Sequence, residues 1–297
     1  MILLSKLNKI ILGTVQFGLA YGINNSFGKP SDYQVKEILD TAFNRGIKFL
    51  DTAEAYGDSQ ERIGKYHKEG VNRFKVITKY GKSREDLPND IYSRVKHNLE
   101  TLGVEELYCY MFHSFKDYSE FYAEFEKDLS RLKDEGLVKK IGVSLHSNEE
   151  IEKVLGSNNV DLIQLPFNLL DNSSRREVVL TKAKSLGIEV HTRSVFLQGL
   201  FFKELDSLTG NLVLLREELS KIKDLIPKNR THDLALNYVY KKKFIDGVLL
   251  GVDNVKQLED NINIVENSTL DNENILDCID NINVKQTEML NPVNWKR

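Results

Sequence analysis

A closed eight-stranded α/β barrel is the fold the sequence predicts, and three observations predict it. Eight short apolar runs, rich in β-branched or aromatic residues, recur along the 297 residues, each followed by a longer amphipathic stretch of helical period. A glycine repeatedly stands just past the helical stretch and before the next apolar run, where a helix C-terminus takes a left-handed residue. The runs are continuous rather than alternating, as in parallel strands buried on both faces, and closing such a sheet removes its edges. The length suits one barrel, so residues 1–297 read as a single domain, with 265–297 as a C-terminal helix and tail. An open doubly wound sheet is the competitor, but Gly13-Thr14-Val15-Gln16-Phe17-Gly18 follows the first strand where that fold carries Gly-x-Gly-x-x-Gly.

In order, strands are expected at 9–12, 48–51, 75–79, 108–113, 140–144, 162–165, 189–193 and 246–250. The helix expected over 31–45 opens on a capping Ser31 and stops at Gly46. Helices over 90–102, 119–135 and 147–155 run into Gly103, Gly136 and Gly156, and one over 182–186 into Gly187. Residues 201–229 are long and mixed, and read as an extra loop and helix at the barrel mouth before a helix over 233–241. Asn- and Asp-rich turns follow Ile264, with a short helix near 273–279 and a polar tail.

Hydrophobic residues at 41% and charged residues at 29% describe an ordinary globular chain. With 41 Lys and Arg against 44 Asp and Glu, no basic field exists to draw nucleic acid or anionic lipid, and no apolar run approaches a membrane span. Residues 1–7 lack the apolar core and cleavage site of a leader, so secretion is not expected. Cys109 and Cys278 have no partner spacing, so neither a disulfide framework nor a metal site is expected, and a reducing cytoplasm fits. Cys109, in an apolar stretch, reads as a small core residue.

The C-terminal ends of barrel strands face the active site. Asp51 closes the second strand, Tyr56 follows in its loop, Lys79 closes the third and His113 the fourth. Singly, each has an ordinary reading as a cap, a rim residue, a solvated end or a core histidine. Together, a carboxylate, a phenol, an ammonium and an imidazole at consecutive strand ends are costly to bury unless they pair. The ammonium of Lys79 would favour proton release from Tyr56, and Asp51 would hold Lys79 charged.

At these residues the sequence resembles the aldo-keto reductases. Phe49-Leu50-Asp51-Thr52-Ala53-Glu54-Ala55-Tyr56-Gly57 resembles that family's Asp and Tyr signature, Ile77-Thr78-Lys79 its Lys strand, and Met111-Phe112-His113-Ser114 its His strand. The resemblance implies catalysis by Tyr56 with Asp51, Lys79 and His113, and a nicotinamide cofactor, NADP or NAD. Ile141-Gly142-Val143-Ser144 and Gln164-Leu165-Pro166-Phe167-Asn168 are similar to the segments through which Ser144 and Gln164 would meet the nicotinamide carboxamide. By the same likeness Gly13, Thr14 and Asp51 line the cofactor, as do Ser194, Phe196, Gln198 and Gly199 of the seventh-strand segment. Arg193 stands where an aromatic usually stacks on the nicotinamide, and faces the ring, the pyrophosphate or the substrate. The stretch from Leu250 to Asn261 is similar to the family's adenosine-binding loop and helix start, with Gly251, Asp253, Gln257, Asp260 and Asn261 as cofactor contacts.

Two departures stand out. Around the expected 2′-phosphate the chain offers Gly251, Asp253, Lys256 and Gln257, and Asp253 would repel a phosphate but accept from a free 2′-hydroxyl, which weakens the expected preference for NADP. Ser59-Gln60 replaces a common Ser-Glu pair, with an effect expected to stay local to the helix start. The function implied is reduction of an aldehyde or ketone, a small-molecule carbonyl substrate, by hydride from the nicotinamide and a proton from Tyr56. A cofactor-binding regulatory or redox-sensing barrel with little turnover, or another barrel enzyme such as a sugar isomerase, is the alternative. Tyr21, Asn24, Asn25, Phe27, Phe115, Phe167 and Phe201 are candidates to line a mouth suited to a sugar-like carbonyl compound. Oligomeric state is not legible in the sequence.

Overall fold

The structure, a computed structural model, describes residues 6–22, 25, 28–81, 87–157, 159–268, 270 and 273–296. Eight parallel strands close into a barrel in sequence order: β1 (Ile10–Gly13), β2 (Phe49–Asp51), β3 (Lys75–Tyr80), β4 (Leu107–Phe112), β5 (Ile141–Ser144), β6 (Leu162–Pro166), β7 (Glu189–Arg193) and β8 (Gly247–Gly251). The seam is the pairing of β1 with β8, from Ile10 opposite Val248 to Gly13 opposite Gly251. Each expected strand is present, with no end displaced by more than one residue; β4 stops at Phe112, so His113 is the first residue beyond it.

Two apolar layers hold the barrel. Inside, Ile11, Ile77, Cys109, Met111, Leu162 and Leu249 fill the interior. Outside, the strands' other faces pack under the helices; the helix Asp32–Asn44 alone buries Val35, Ile38, Leu39 and Ala42 there. Fully burying a side chain the size of Val, Leu or Ile is worth roughly 1.5–3 kcal/mol, so this outer layer is the main support of the fold. Ser31 caps that helix through a complete capping box with Gln34.

Two helices begin earlier than their apolar pattern announces. The helix at 182–186 is the end of Ser173–Ser185, whose first turns carry Ser, Arg and Glu; Arg176 is buried there by ion pairing rather than by an apolar stripe. The helix at 119–135 is Phe115–Asp134, capped by the Ser114 side chain accepting from the Asp117 N–H. Residues 197–225 form three 3-10 turns and the helix Arg216–Leu225. No helix of the described residues is long and apolar enough to cross a membrane. Cys109 is fully buried, and burial pushes its thiol well up, which suits a core residue.

Candidate active site

The C-terminal mouth of the barrel holds a cavity of about 590 Å³, within the range of small-molecule sites. Asp51, Tyr56, Lys79 and His113 all line it. Asp51 and Lys79 are almost fully buried and form an ion pair. Lys79 also donates to the Thr52 carbonyl at 3.0 Å, and the second Asp51 oxygen accepts from Gln164 Nε2 at 2.9 Å. A buried ammonium is tolerated here because a carboxylate neutralises it and further hydrogen bonds satisfy both groups.

Tyr56 sits over this pair. The Lys79 Nζ lies 5.4 Å from its ring centroid, and the His113 ring meets it edge-on at 5.7 Å. Burial raises the phenol's pKa, and the Lys79 charge, which pulls it down as the sequence leads one to expect, is the smaller effect. The hydroxyl therefore keeps its proton at neutral pH. His113 moves oppositely: burial, then Lys79 and Arg193, hold it down to about 3, so its imidazole is neutral.

The Tyr56 loop is fixed by backbone contact. A Cβ on Gly18 would stand 1.7 Å from the Tyr56 carbonyl oxygen, and Gly57 is left-handed at φ +57° with its missing Cβ 2.5 Å from the Gly18 carbonyl oxygen. Only glycines allow this approach. Ser59 reinforces it, donating to the Thr14 carbonyl at 2.9 Å, while Gln60 donates to the Thr78 hydroxyl at 2.6 Å. The Ser-Gln pair therefore reaches beyond the helix start to which its effect was expected to be confined, joining the helix Ser59–Glu69 to β3 and the β1 loop.

Pattern reading missed a buried cluster behind this wall. Glu54, three residues past Asp51, accepts from Arg94 Nε at 2.9 Å, Asn98 Nδ2 at 2.7 Å, Tyr110 Oη at 2.8 Å and the Gly81 N–H at 2.8 Å. It ties the β2 loop to β3, β4 and the helix Ile91–Leu102. The available signal was Arg94 and Asn98, a polar pair one turn apart on an otherwise apolar helix face.

Of the other expected residues, Gly13, Thr14, Ser144, Gln164, Arg193, Ser194, Phe196, Gln198, Gly199, Gly251, Asp253, Gln257 and Asn261 line the same cavity. Asp260 is not brought to it: on the solvent side of the helix Val255–Asn267, its carboxylate pairs with Lys256 at 2.9 Å. Asp253 accepts from Asn25 Nδ2 at 3.2 Å and Gln257 Nε2 at 3.3 Å. Tyr21 and Asn25 line the mouth as expected. Phe167 and Phe201 do not; both are core residues, Phe167 stacked on Tyr238 at 5.7 Å. Phe115 is half-buried against Tyr118, away from the cavity. Asn24 and Phe27 lie outside the described residues.

Four further contributors were not anticipated. His146 follows β5, and Gln16 follows β1. His232 Nε2 donates to Asn261 Oδ1, 2.7 Å away, with Phe196 and Phe202 edge-on to its ring. Asn291 to Val293, from the tail, complete the lining. The loop after β7 is left-handed at Ser194 (φ 64°), Leu197 (φ 45°) and Gln198 (φ 53°), strain that persists only where surroundings impose it and that gathers at ligand clamps.

A family model described as the aldo/keto reductase family matches residues 9–283. Similar curated proteins include two from Bacillus subtilis strain 168. The uncharacterized oxidoreductase YqkF is 27% identical over 263 residues, covering 80% of this chain and 84% of its own. The uncharacterized oxidoreductase YrpG is 26% identical over 301 residues, covering 88% of each. Among solved structures, the aldo-keto reductase AKR11C1 from Bacillus halodurans, in its holo form, superposes with a TM-score of 0.76 at 22% identity, over 93% of this chain and 92% of its own.

Proposed function

Because the chain belongs to the aldo/keto reductase family and is an oxidoreductase of that family, we propose that it reduces an aldehyde or ketone to an alcohol, with a nicotinamide cofactor and Tyr56 as proton donor. The observation that carries this reading is a proton-bearing phenol held between an ion-paired lysine and a neutral histidine in one cavity.

Tyr56 Oη gives its proton to the carbonyl oxygen as charge develops there. The nearby Lys79 ammonium stabilises the phenolate left behind, an electrostatic effect strengthened by the buried setting. Asp51 keeps Lys79 charged and fixed. Neutral His113, edge-on to Tyr56, offers a ring N–H to orient the carbonyl oxygen without adding a second charge.

The wall fits a dinucleotide. The cavity is larger than a small carbonyl compound needs, and it runs from Tyr56 to Asp253, Gln257 and Asn261. Ser144 and Gln164 present hydrogen-bonding groups beside the catalytic set, and Gln16 Oε1 is a buried acceptor without a partner. The left-handed β7 loop lines its middle. When bound, the reduced nicotinamide supplies the hydride. Ser144 and Gln164 would hold its carboxamide, and Asn261 the adenosine half.

The same wall favours NADH. Among the described lining residues the only Lys and Arg side chains are Lys79 and Arg193, both grouped with Tyr56. Lys256 is turned to Asp260, so a 2′-phosphate near Asp253 meets a carboxylate rather than a cation. We place the activity in the cytoplasm, where the free thiols of Cys109 and Cys278 stay reduced. Steady-state reduction of a panel of aldehydes and ketones should show kcat/KM with NADH at least equal to that with NADPH. A strong NADPH bias overturns the cofactor choice, and no reduction with either cofactor overturns the function.

A further inference from the structure

Residues 189, 191 and 193 of β7 share one side of the strand by its two-residue period, and they place three polar groups along the barrel axis. The lowest is neutralised: Glu189 pairs with Lys140 and accepts from Tyr108 Oη at 2.8 Å, and the His191 ring lies 2.6 Å from its other oxygen. The uppermost is not. Arg193 lies in the cavity wall, with Nη2 2.9 Å from His146 Nε2 and Nη1 3.5 Å from the Ser194 hydroxyl.

Both neighbours are neutral, since burial and Arg193 itself hold the His146 pKa down to about 4. The acids around it are committed elsewhere. Asp51 belongs to Lys79 and Gln164, Asp171 to Arg176 at 2.7 Å, and Asp253 to Asn25 and Gln257. Among the described residues no carboxylate pairs with Arg193. Its charge nonetheless reaches Tyr56 and His113, pulling the pKa of each down. An enclosed guanidinium without an anion is costly to keep, and the cost is met when a ligand brings the anion.

We infer that Arg193, with its fork oriented by His146, is a carboxylate clasp, so that the substrate is a carbonyl compound bearing a carboxylate. This rests on the reductase reading of the same cavity. A single planar guanidinium matches a carboxylate through two parallel hydrogen bonds, whereas a dianionic phosphate calls for a second free cation that the described lining residues lack. Two of its five N–H groups are spent on His146 and Ser194, which leaves enough for such a pair. His146 is a positioning residue. Its own N–H donates to Glu150 at 2.7 Å and its carbonyl accepts from Arg176 at 2.6 Å, which fixes where its ring meets Arg193.

The test compares ω-oxo acids with uncharged aldehydes of equal length: glyoxylate with acetaldehyde, 4-oxobutanoate with butanal, 5-oxopentanoate with pentanal. The wild-type protein should prefer the acid at its best chain length by roughly tenfold or more in kcat/KM, carried mainly by KM. In Arg193→Gln that ratio should fall to near one, and Arg193→Lys should lie between. In parallel, butanoate, with butanamide as the neutral control, is tested for thermal stabilisation of the protein with NADH present. Stabilisation should occur in the wild type and vanish in Arg193→Gln, with each variant's unliganded melting confirming that it folds. No acid preference at any length, or equal loss for acids and neutral aldehydes in Arg193→Gln, overturns the clasp. Butanoate binding without reduction of any carbonyl would keep the clasp and sink the reductase reading. Reduction of neutral aldehydes with no response to acids would do the reverse.

Discussion

The two sides of the cavity solve the problem of buried charge differently. On the β2 to β4 side two buried cations are matched: Lys79 by Asp51, and Arg94 behind them by Glu54, with each carboxylate holding further donors. On the β7 side Arg193 has only neutral partners among the described residues, and the backbone that follows is left-handed at three non-glycine residues. The first side is complete in itself and can hold reacting groups in a fixed geometry. The second carries charge and strain that a ligand would relieve. The proposed chemistry and the proposed specificity thereby fall on opposite strands of one barrel.

The largest effect expected from breaking this contrast is at the reacting atom. Tyr56→Phe removes the proton donor and little packing, so turnover should fall by about 10²–10⁴ while NADH binding and melting stay near wild type. Single-turnover kinetics alongside a cofactor titration measure both, and carbonyl reduction that survives intact would remove Tyr56 from the chemistry. Next in size is the support of that wall. Glu54→Ala strands the Arg94 guanidinium in the core, a loss of about 3–5 kcal/mol that should lower the melting temperature by on the order of 10 °C. Glu54→Gln, which keeps an acceptor, should lose less; equal melting of all three proteins would show that the cluster does not support the wall.

The smallest effect joins the two sides. His113 and His146 are held to about 3 and about 4, below the 6.5 of an unfolded histidine. Below pH 6.5 the unfolded chain binds protons that the native chain refuses, so stability is greatest above that pH and is lost as pH falls toward 4 and then 3. Urea unfolding at pH 7 and pH 5 should show the lower midpoint at pH 5. His146→Gln should flatten part of that dependence, and an unchanged midpoint in the wild type would mean these histidines titrate normally.

Most of the barrel was legible because its strands and helices announce themselves locally. Continuous runs such as Leu107–Phe112 and the left-handed Gly46, Gly103, Gly136 and Gly187 past their helices need no tertiary knowledge, whereas Gly156, read as a stop, lies inside the helix Asn148–Ser157. The convergence of the candidate set on one cavity was legible for a related reason: Asp51, Lys79 and His113 sit at strand ends or the residue beyond, and strand ends converge in any such barrel. Residues whose role depends on what comes near in space were not. Glu54 looks like one more acid until Arg94, Asn98 and Tyr110 surround it. His146 and the Asn291 to Val293 segment reach the cavity from a loop and the tail with no periodic signal, and His232 from the first turn of the helix Thr231–Tyr240. Phe167, just past β6, and Phe201, in the 3-10 turn after β7, were misplaced at the mouth because an aromatic in such a connection can point either way, and these two pack inward.

The seam between the first and last strands also sets a timetable. Ile10 finds its partner only at Val248, and at a synthesis rate of roughly 5–20 residues per second that neighbour arrives on the order of ten to fifty seconds later. Throughout that interval β1 has one open edge, and the growing chain displays an unclosed sheet whose apolar interior faces water. A nascent chain of this kind is a natural client for a holdase, and the speed at which the ribosome crosses the last third of the message bears on how much of the product ever closes.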